Sequence, residues 1–286
     1  MALFAAPVVA QQPVTVTIDV ATLGELSGLA SSRLRDGLLW AHNDGGNEPR
    51  LYAIGIDGKS LGSVLVDGAS ATDWEDIASF ELDGASYLVI GDVGDNDAVR
   101  KKVALLFIRE PAIVGDRVEK DLVVRPEWIV EFSYEDGPRD CESVAVDVPG
   151  ERILLMSKRT KPPAVYTIPF RSAGAVATRI TDRVSIPTLD KKDSRLLAAI
   201  GRFATQPTSM DVTPDGRLAI VQTYTDAWLF RRAPDQAWGD AFAGEPERLR
   251  VPPLLQAEAI AFDREGVHVF VSGEGTPNPL VRIERD

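Results

Sequence analysis

Carboxylates recur at one position of a short motif that appears in several copies along this chain. DWEDIASF carries Glu75 there, DCESVAVD carries Glu142 and EAIAFD carries Glu258, while two further copies carry Ser27 and Thr208. Ca²⁺ and Mg²⁺ prefer oxygen ligands of this kind, whereas Zn²⁺ favours histidine and cysteine. These residue types therefore predict a calcium site, with Mg²⁺ as the alternative.

Further oxygen ligands stand near these motifs. The segment GDVGDN (residues 91–96) alternates Asp and Gly like a calcium loop, although it lacks the spacing and the closing Glu of an EF-hand. We predict direct metal ligands at Glu75, Glu142 and Glu258. Additional candidate ligands are Glu25, Asp92 and Asn96.

Several carboxylates that point at one place repel one another, and some of them must hold protons at neutral pH unless a cation is bound. A bound divalent cation removes this repulsion. The alternative is a purely structural acidic ring without a metal, in which these acids form hydrogen bonds and ion pairs with Arg139, Lys158 and Arg159.

The same neighbourhood offers groups for catalysis. His42 in the segment AHND could act as a general base that Asp44 orients, and Glu75 could serve beside a metal-activated water. The alternative is a structural role, in which His42 forms hydrogen bonds beside a channel and takes no part in catalysis. Candidate substrate-binding residues, suited to a phosphate or carboxylate group, are Lys158, Arg159 and Tyr224.

Five similar hairpins must position these side chains. Each has a first apolar strand, a turn that contains glycine, and a second strand that begins apolar and ends polar. The start of a first strand and the end of the second strand share one end of the hairpin. The first strands are predicted in Gly24–Ser32, Thr72–Phe80, Arg139–Asp147, Thr205–Thr213 and Gln256–Asp263.

Third and fourth strands can be assigned after most hairpins, for example RLYAIGI and LGSVLV after the first. The last copy ends before a fourth strand, and VTVTIDV (Val14–Val20) near the N-terminus can complete its sheet. Repeats of this kind are typical of a β-propeller. We predict an all-β fold of five four-stranded blades closed by the N-terminal strand. Six blades and a β-sandwich are the alternatives.

Charge and length narrow the class of protein. The net charge of −12 argues against a nucleic-acid partner, since phosphate binding needs a basic surface. No stretch has the length of a transmembrane span, which predicts no integral membrane segment. Residues 13–286 are predicted to form a single domain, with a helical turn as a candidate in Lys191–Ala204.

The N-terminal residues 1–12 resemble the end of a secretory signal. An apolar run leads to Val-Val-Ala and then to Gln11-Gln12, although a basic segment before the run is missing. This pattern predicts export, and therefore a periplasmic or secreted protein. A short apolar tail is the alternative interpretation.

The segments ELSGLASS, WAHNDGG, DWEDIA, GDVGDN, DCESVAVD and EAIAFD together resemble a family of exported bacterial β-propellers of unassigned activity. They span most of Glu25–Glu274. More distantly, the chain is similar to phytase-like and gluconolactonase-like propellers. Those proteins bind Ca²⁺ in or near the central channel and hydrolyse phosphoesters or lactones. The resemblance implies a propeller with a cation, and no residue roles transfer from those two groups.

Residues and resemblance together lead to a first hypothesis. An exported propeller carries a calcium site at the mouth of its central channel and hydrolyses a small anionic ester, either a phosphoester or a lactone. The alternative is a non-catalytic scaffold with a structural cation that binds a protein or glycan on the same face.

Overall fold

The computed structural model describes residues 12–172, 174–187 and 201–285, and nearly all of their regular structure is β-strand. The predicted signal remnant lies almost wholly outside the described residues, and so does most of the helical candidate at 191–204. The end of that candidate, Gly201–Phe203, forms one 3₁₀ turn, as does Val148–Gly150. One short α-helix, α1, spans Trp238–Ala243 in the described part of the chain.

The strands follow one another with short connections. In chain order they are β1 (Val14–Thr17), β2 (Leu26–Ser31), β3 (Leu38–Asn43), β4 (Arg50–Gly55), β5 (Ser60–Val66), β6 (Trp74–Leu82), β7 (Ala85–Asp92), β8 (Val103–Arg109), β9 (Val123–Val124), β10 (Trp128–Tyr134), β11 (Cys141–Asp147), β12 (Arg152–Ser157), β13 (Val165–Pro169), β14 (Ala175–Thr181), β15 (Pro207–Val212), β16 (Leu218–Thr223), β17 (Ala227–Arg231), β18 (Glu247–Leu249), β19 (Ala257–Phe262), β20 (His268–Gly273) and β21 (Pro279–Glu284).

Antiparallel meanders form the sheets. The strand orders are β2-β3-β4-β5-β9, β15-β16-β17-β18 and β1-β21-β20-β19, together with an eight-stranded sheet β11-β12-β13-β14-β10-β8-β7-β6. The eight-stranded sheet consists of two meanders whose outer strands, β10 and β14, pair in parallel. The N-terminal strand β1 pairs antiparallel with β21. This all-β arrangement is consistent with a β-propeller.

Local sequence explains the hairpins. The turn between β6 and β7 uses Asp83 and Gly84, which have φ angles of 52° and 74°. Asp and Gly tolerate this left-handed region better than most residues, so the pair favours a tight turn between two apolar runs. The two strands pair from Trp74 with Asp92 to Leu82 with Ala85, and both are buried over most of their length.

The core lies between successive meanders, and the first two strands of each meander are buried along most of their length. Large buried side chains such as Trp40, Phe107 and Phe262 fill the spaces between meanders. Polar links join neighbouring first strands, because Ser79 Oγ donates to Ser31 O at 2.5 Å and Thr208 Oγ1 donates to Ala257 O at 2.7 Å. These contacts fix the first strands against one another and therefore position what lies at their ends.

The hairpin predictions are confirmed: every predicted first and second strand has a counterpart within three residues of its expected bounds. The sequence did not indicate β9 or α1. Within the described ranges, no helix is long and apolar enough to cross a membrane.

Candidate metal centre

A β-bulge stands at the start of each first strand and sets the direction of the candidate ligands. The pairing of β6 with β7 passes from Trp74 to Asp76 and leaves Glu75 as the extra residue. The same irregularity occurs in β2, β11, β15 and β19. The position predicted to carry the ligand is therefore the bulged residue in every copy. The alternation of side chains between the two faces of the strand is interrupted there.

Glu75 lies at the centre of a cluster of carboxylates. Oxygen atoms of Asp44, Asp73 and Glu75 lie within 4.8 Å of one another. A second set with the same spacing consists of Glu75, Asp140 and Glu142. The two sets share Glu75, so three neighbouring hairpins contribute acids to one place.

Two glycines allow this close approach. A Cβ atom on Gly94 would overlap Oε1 of Glu75 and lie 2.6 Å from Oδ2 of Asp73. A Cβ on Gly45 would lie 2.8 Å from Oδ1 of Asp73. The backbone of these two glycines therefore packs directly against the carboxylates, and neither position places a side chain among them.

The buried carboxylate of Glu75 has little hydrogen bonding of its own. Its side chain is almost fully buried, with 3% of its surface exposed. Among the described residues it accepts one long hydrogen bond, from Ser27 Oγ at 3.5 Å. A buried carboxylate that accepts few hydrogen bonds is energetically unfavourable in its charged form. The Glu75 carboxylate is therefore suited to bind a cation. A divalent cation with carboxylate ligands suits the donor set.

The pKa values of the cluster rise because burial disfavours the charged forms. Burial, followed by the charges of Glu142, Asp44 and Asp73, raises the pKa of Glu75 well above its usual range. Burial also raises the pKa of Asp73 to about 6 and that of Glu142 to about 7. The protonated forms of these acids are therefore favoured unless a bound cation neutralises their charges.

Cations of the protein itself offset part of this charge. Lys158 Nζ lies 2.7 Å from Glu142 Oε2, and Arg159 Nε lies 2.5 Å from Asp140 Oδ2. Lys158 also lies over the ring of Tyr224. Two of the three residues predicted to bind a substrate, Lys158 and Arg159, thus already have carboxylate partners.

Glu258 belongs to neither of the two acid sets and joins their network through Tyr224. The hydroxyl of Tyr224 donates to Glu258 Oε1 at 3.0 Å, and Tyr224 in turn contacts Lys158. Burial, then a hydrogen bond with Glu274, raises the pKa of Glu258 to about 8. Its role as a direct ligand stays a prediction.

The remaining predicted ligands have partners of their own. Asp92 Oδ1 pairs with Arg100 at 2.6 Å, and the amide of Asn96 accepts a hydrogen bond from Arg159. Glu25 is exposed and accepts from Asn47 Nδ2 at 2.7 Å. The structure therefore brings Glu75 and Glu142 together and holds these three beside them.

His42 belongs to neither of the two acid sets. Its side chain is completely buried, its edge packs against Trp74, and its Nδ1 donates to the Asn43 carbonyl at 2.8 Å. Burial lowers the pKa of His42 to about 4. A base must contact a substrate or its water, so the catalytic prediction for His42 has no support in this geometry. Asp44 and Glu75, the other two predicted catalytic residues, do lie in the cluster.

Asp76 is a residue whose importance sequence reasoning missed. Its Oδ1 accepts from Ser209 Oγ at 2.9 Å and from Ile77 N, and its Oδ2 accepts from Val144 N at 2.8 Å and Met210 N at 3.1 Å. The carboxylate thus reaches from β6 to both β11 and β15. The corresponding positions in the other copies are small, and this was the available signal: Gly28, Ser143, Ser209 and Ala259.

Comparisons with known proteins add little to this geometry. No protein-family model matches the chain, and no curated protein matches its sequence. Among solved structures, the chain is similar to one in the "Crystal Structure of Mitotic Checkpoint Complex", with 11% identity and a TM-score of 0.39. The similarity covers 90% of this chain and 63% of that chain, so this chain spans less than two thirds of its length. A likeness at this level assigns no function.

Proposed function

We propose that the chain is an exported propeller of five four-stranded blades that binds Ca²⁺, or alternatively Mg²⁺, at one mouth of its central channel. Contacts among the first strands support the proposal of a closed ring. Each first strand contacts the next, in the order β2, β6, β11, β15 and β19, and β19 contacts β2 again. The pairing of β1 with β21 supports closure by the N-terminal strand. Export rests on the N-terminal sequence pattern.

The observation that carries the cation proposal is the pair of overlapping acid sets that share Glu75. The residues that would hold the ion are Asp44, Asp73, Glu75, Asp140 and Glu142. Lys158 and Arg159 offset two of these charges, and the bulges aim the remaining oxygens at one place. A bound divalent ion would neutralise charges that otherwise raise the pKa of Glu75.

The activity that fits this site best is hydrolysis of a small anionic ester, a phosphoester or a lactone. A bound cation would polarise the ester oxygen and lower the pKa of a water molecule. A carboxylate of the cluster that is not bound to the ion accepts the proton of that water. In this proposal Asp44 and Glu75 orient the reacting groups.

The second candidate is a non-catalytic propeller with a structural metal cation. The ion pairs that Lys158 and Arg159 form with acids at the proposed channel mouth favour this candidate. Lys158 and Arg159 are both engaged by acids, so neither is preset to receive a substrate anion. In that case the same face binds a protein or a glycan.

A panel of chromogenic phosphoesters, carboxylic esters and lactones separates the two candidates. We expect hydrolysis of at least one class with Ca²⁺, loss of turnover with a chelator, and a fall of about a hundredfold in Glu75→Gln, as for loss of one strong charge interaction. The matched control is Glu127→Gln, because Glu127 is exposed and pairs with Arg109 on the outer surface.

Two outcomes are decisive for the activity. Turnover that is equal in the wild type and Glu75→Gln removes the catalytic proposal and leaves the scaffold. Turnover that survives the chelator unchanged removes the dependence on a cation.

A further inference from the structure

The end of the channel opposite the acidic cluster holds a cavity of about 450 Å³. Its walls come from the far ends of the first strands and the turns that follow them, including Phe80, Val146 and Val212. Apolar and polar side chains line it in about equal numbers, and concave pockets of this volume are typical of small-molecule sites. The cavity is therefore large enough for a ligand about the size of one aromatic ring with substituents.

Arg33 lines this cavity and is the unusual group in it. Its side chain is buried, with 7% of the residue surface exposed. Its Nε donates to Ser79 Oγ at 3.0 Å, and its Nη2 donates to the Ser79 carbonyl at 3.3 Å. Among the described residues, no carboxylate forms an ion pair with this guanidinium, and its Nη1 has no hydrogen-bond acceptor.

A buried acid that interacts with Arg33 already accepts hydrogen bonds from backbone N–H groups. Asp211 is buried and interacts with Arg33 electrostatically without an ion-pair contact. Its Oδ1 accepts from Val212 N at 2.8 Å, and its Oδ2 accepts from Phe262 N at 2.9 Å. Asp211 therefore lowers the cost of burying Arg33 and leaves Nη1 available.

A buried guanidinium without a bound anion is energetically unfavourable, and arginine binds carboxylates in a planar, two-point geometry. We propose that this cavity binds a small organic monocarboxylate with an apolar body, whose carboxylate contacts Arg33 and whose body packs on Phe80 and the valines.

The rim of the cavity limits the charge of the ligand. Glu81 and Glu265 line its exposed edge, and Arg264 there pairs with Asp36 at 2.7 Å. Two acids at the rim repel a second negative charge on a ligand. One carboxylate on an apolar body therefore fits better than phosphate or a dicarboxylate.

Calorimetric titration and thermal unfolding with sodium benzoate, hexanoate, inorganic phosphate and neutral benzamide test the proposal on the full chain. We expect benzoate or hexanoate to bind and to raise the unfolding midpoint. Benzamide should bind at least about tenfold more weakly, because a hydrogen bond to a charged group contributes more than a neutral one. Chelator should not change these affinities, since the acidic cluster lies at the other end.

Arg33→Gln tests the residue itself, with Arg125→Gln as the matched control because Arg125 is exposed and pairs with Asp67. We expect carboxylate binding to fall at least about tenfold in Arg33→Gln and to persist in the control. Equal affinity in Arg33→Gln, equal binding of benzoate and benzamide, or absence of carboxylate binding to the wild type overturns the proposal. If Arg33→Gln does not fold, the benzoate and benzamide comparison on the wild type decides.

Discussion

Two adjacent positions of β6 hold buried carboxylates, and the groups that surround their oxygens differ. In the acidic cluster, Glu75 accepts one hydrogen bond of 3.5 Å and faces further acids. One residue along the same strand, Asp76 accepts four hydrogen bonds from β6, β11 and β15. Burial is similar, since both side chains are almost completely inaccessible. The number of donors is what distinguishes the two.

This difference separates a structural acid from a candidate ligand. Asp76 ties three strands together and accepts hydrogen bonds at both of its oxygens, which offset part of the rise in its pKa that burial causes. Glu75 is held by a bulge, glycine backbone and neighbouring acids, so its charge is satisfied only by protons or a cation. A buried acid is therefore a good metal candidate when its donors are missing.

Replacement of Asp76 should have the largest effect on stability. Asp76→Ala leaves the backbone N–H groups of Val144 and Met210 without acceptors inside the ring. Each unsatisfied buried donor costs about 1 to 3 kcal/mol, so the free energy of unfolding should fall by about 3 to 5 kcal/mol. Urea unfolding of the calcium-free protein measures this change.

Asp211→Ala gives a graded control for Asp76→Ala, because Asp211 accepts from two backbone N–H groups, those of Val212 and Phe262. Asp211→Ala should lower the free energy of unfolding by less than Asp76→Ala does. A loss for Asp76→Ala of less than about 1 kcal/mol would mean that the four hydrogen bonds do not hold the ring together.

Neutralising Glu75 should act in the opposite direction. In chelator, Glu75→Gln removes one of several repelling charges, so the free energy of unfolding should rise by about 1 kcal/mol. Urea unfolding in chelator compares it with the wild type and with Glu127→Gln, whose exposed carboxylate should matter little. Destabilisation by Glu75→Gln in chelator would indicate that Glu75 is satisfied within the protein, as Asp76 is.

The pH dependence of stability should show a smaller effect of the same origin. Burial raises the pKa values of Asp73, Glu142 and Glu258 to about 6, 7 and 8. The folded protein therefore keeps protons that the unfolded chain releases, and stability in chelator falls as the pH rises from about 5 to 8. Saturating calcium should flatten this slope. Stability in chelator that increases over the same interval contradicts the raised values.

Much of the fold could be predicted from the sequence because its signals are local. Turns such as Asp83-Gly84 and the recurring apolar strands depend on neighbouring residues, and the strands lie where these signals indicate. The acids Glu75 and Glu142 also meet as expected, since they occupy the same place in neighbouring repeats.

The remaining features depend on contacts between distant segments. A bulge is defined by pairing with the partner strand, so the repeated motif indicated which position carries the acids and did not indicate how their side chains are aimed. His42 looked accessible because it ends a strand, yet packing against Trp74 buries it. Arg33 follows an ordinary strand end, and the lack of an acid partner becomes visible only when all first strands surround it.

Calcium binding to the purified wild-type protein, measured by titration calorimetry with parallel unfolding curves in calcium and in chelator, tests the central claim most directly. We predict saturable binding of Ca²⁺, an unfolding midpoint that rises with calcium concentration, and loss of both in Glu75→Gln. An unfolding midpoint that is identical in calcium and chelator, together with no heat of binding, would contradict a cation site at the acidic mouth.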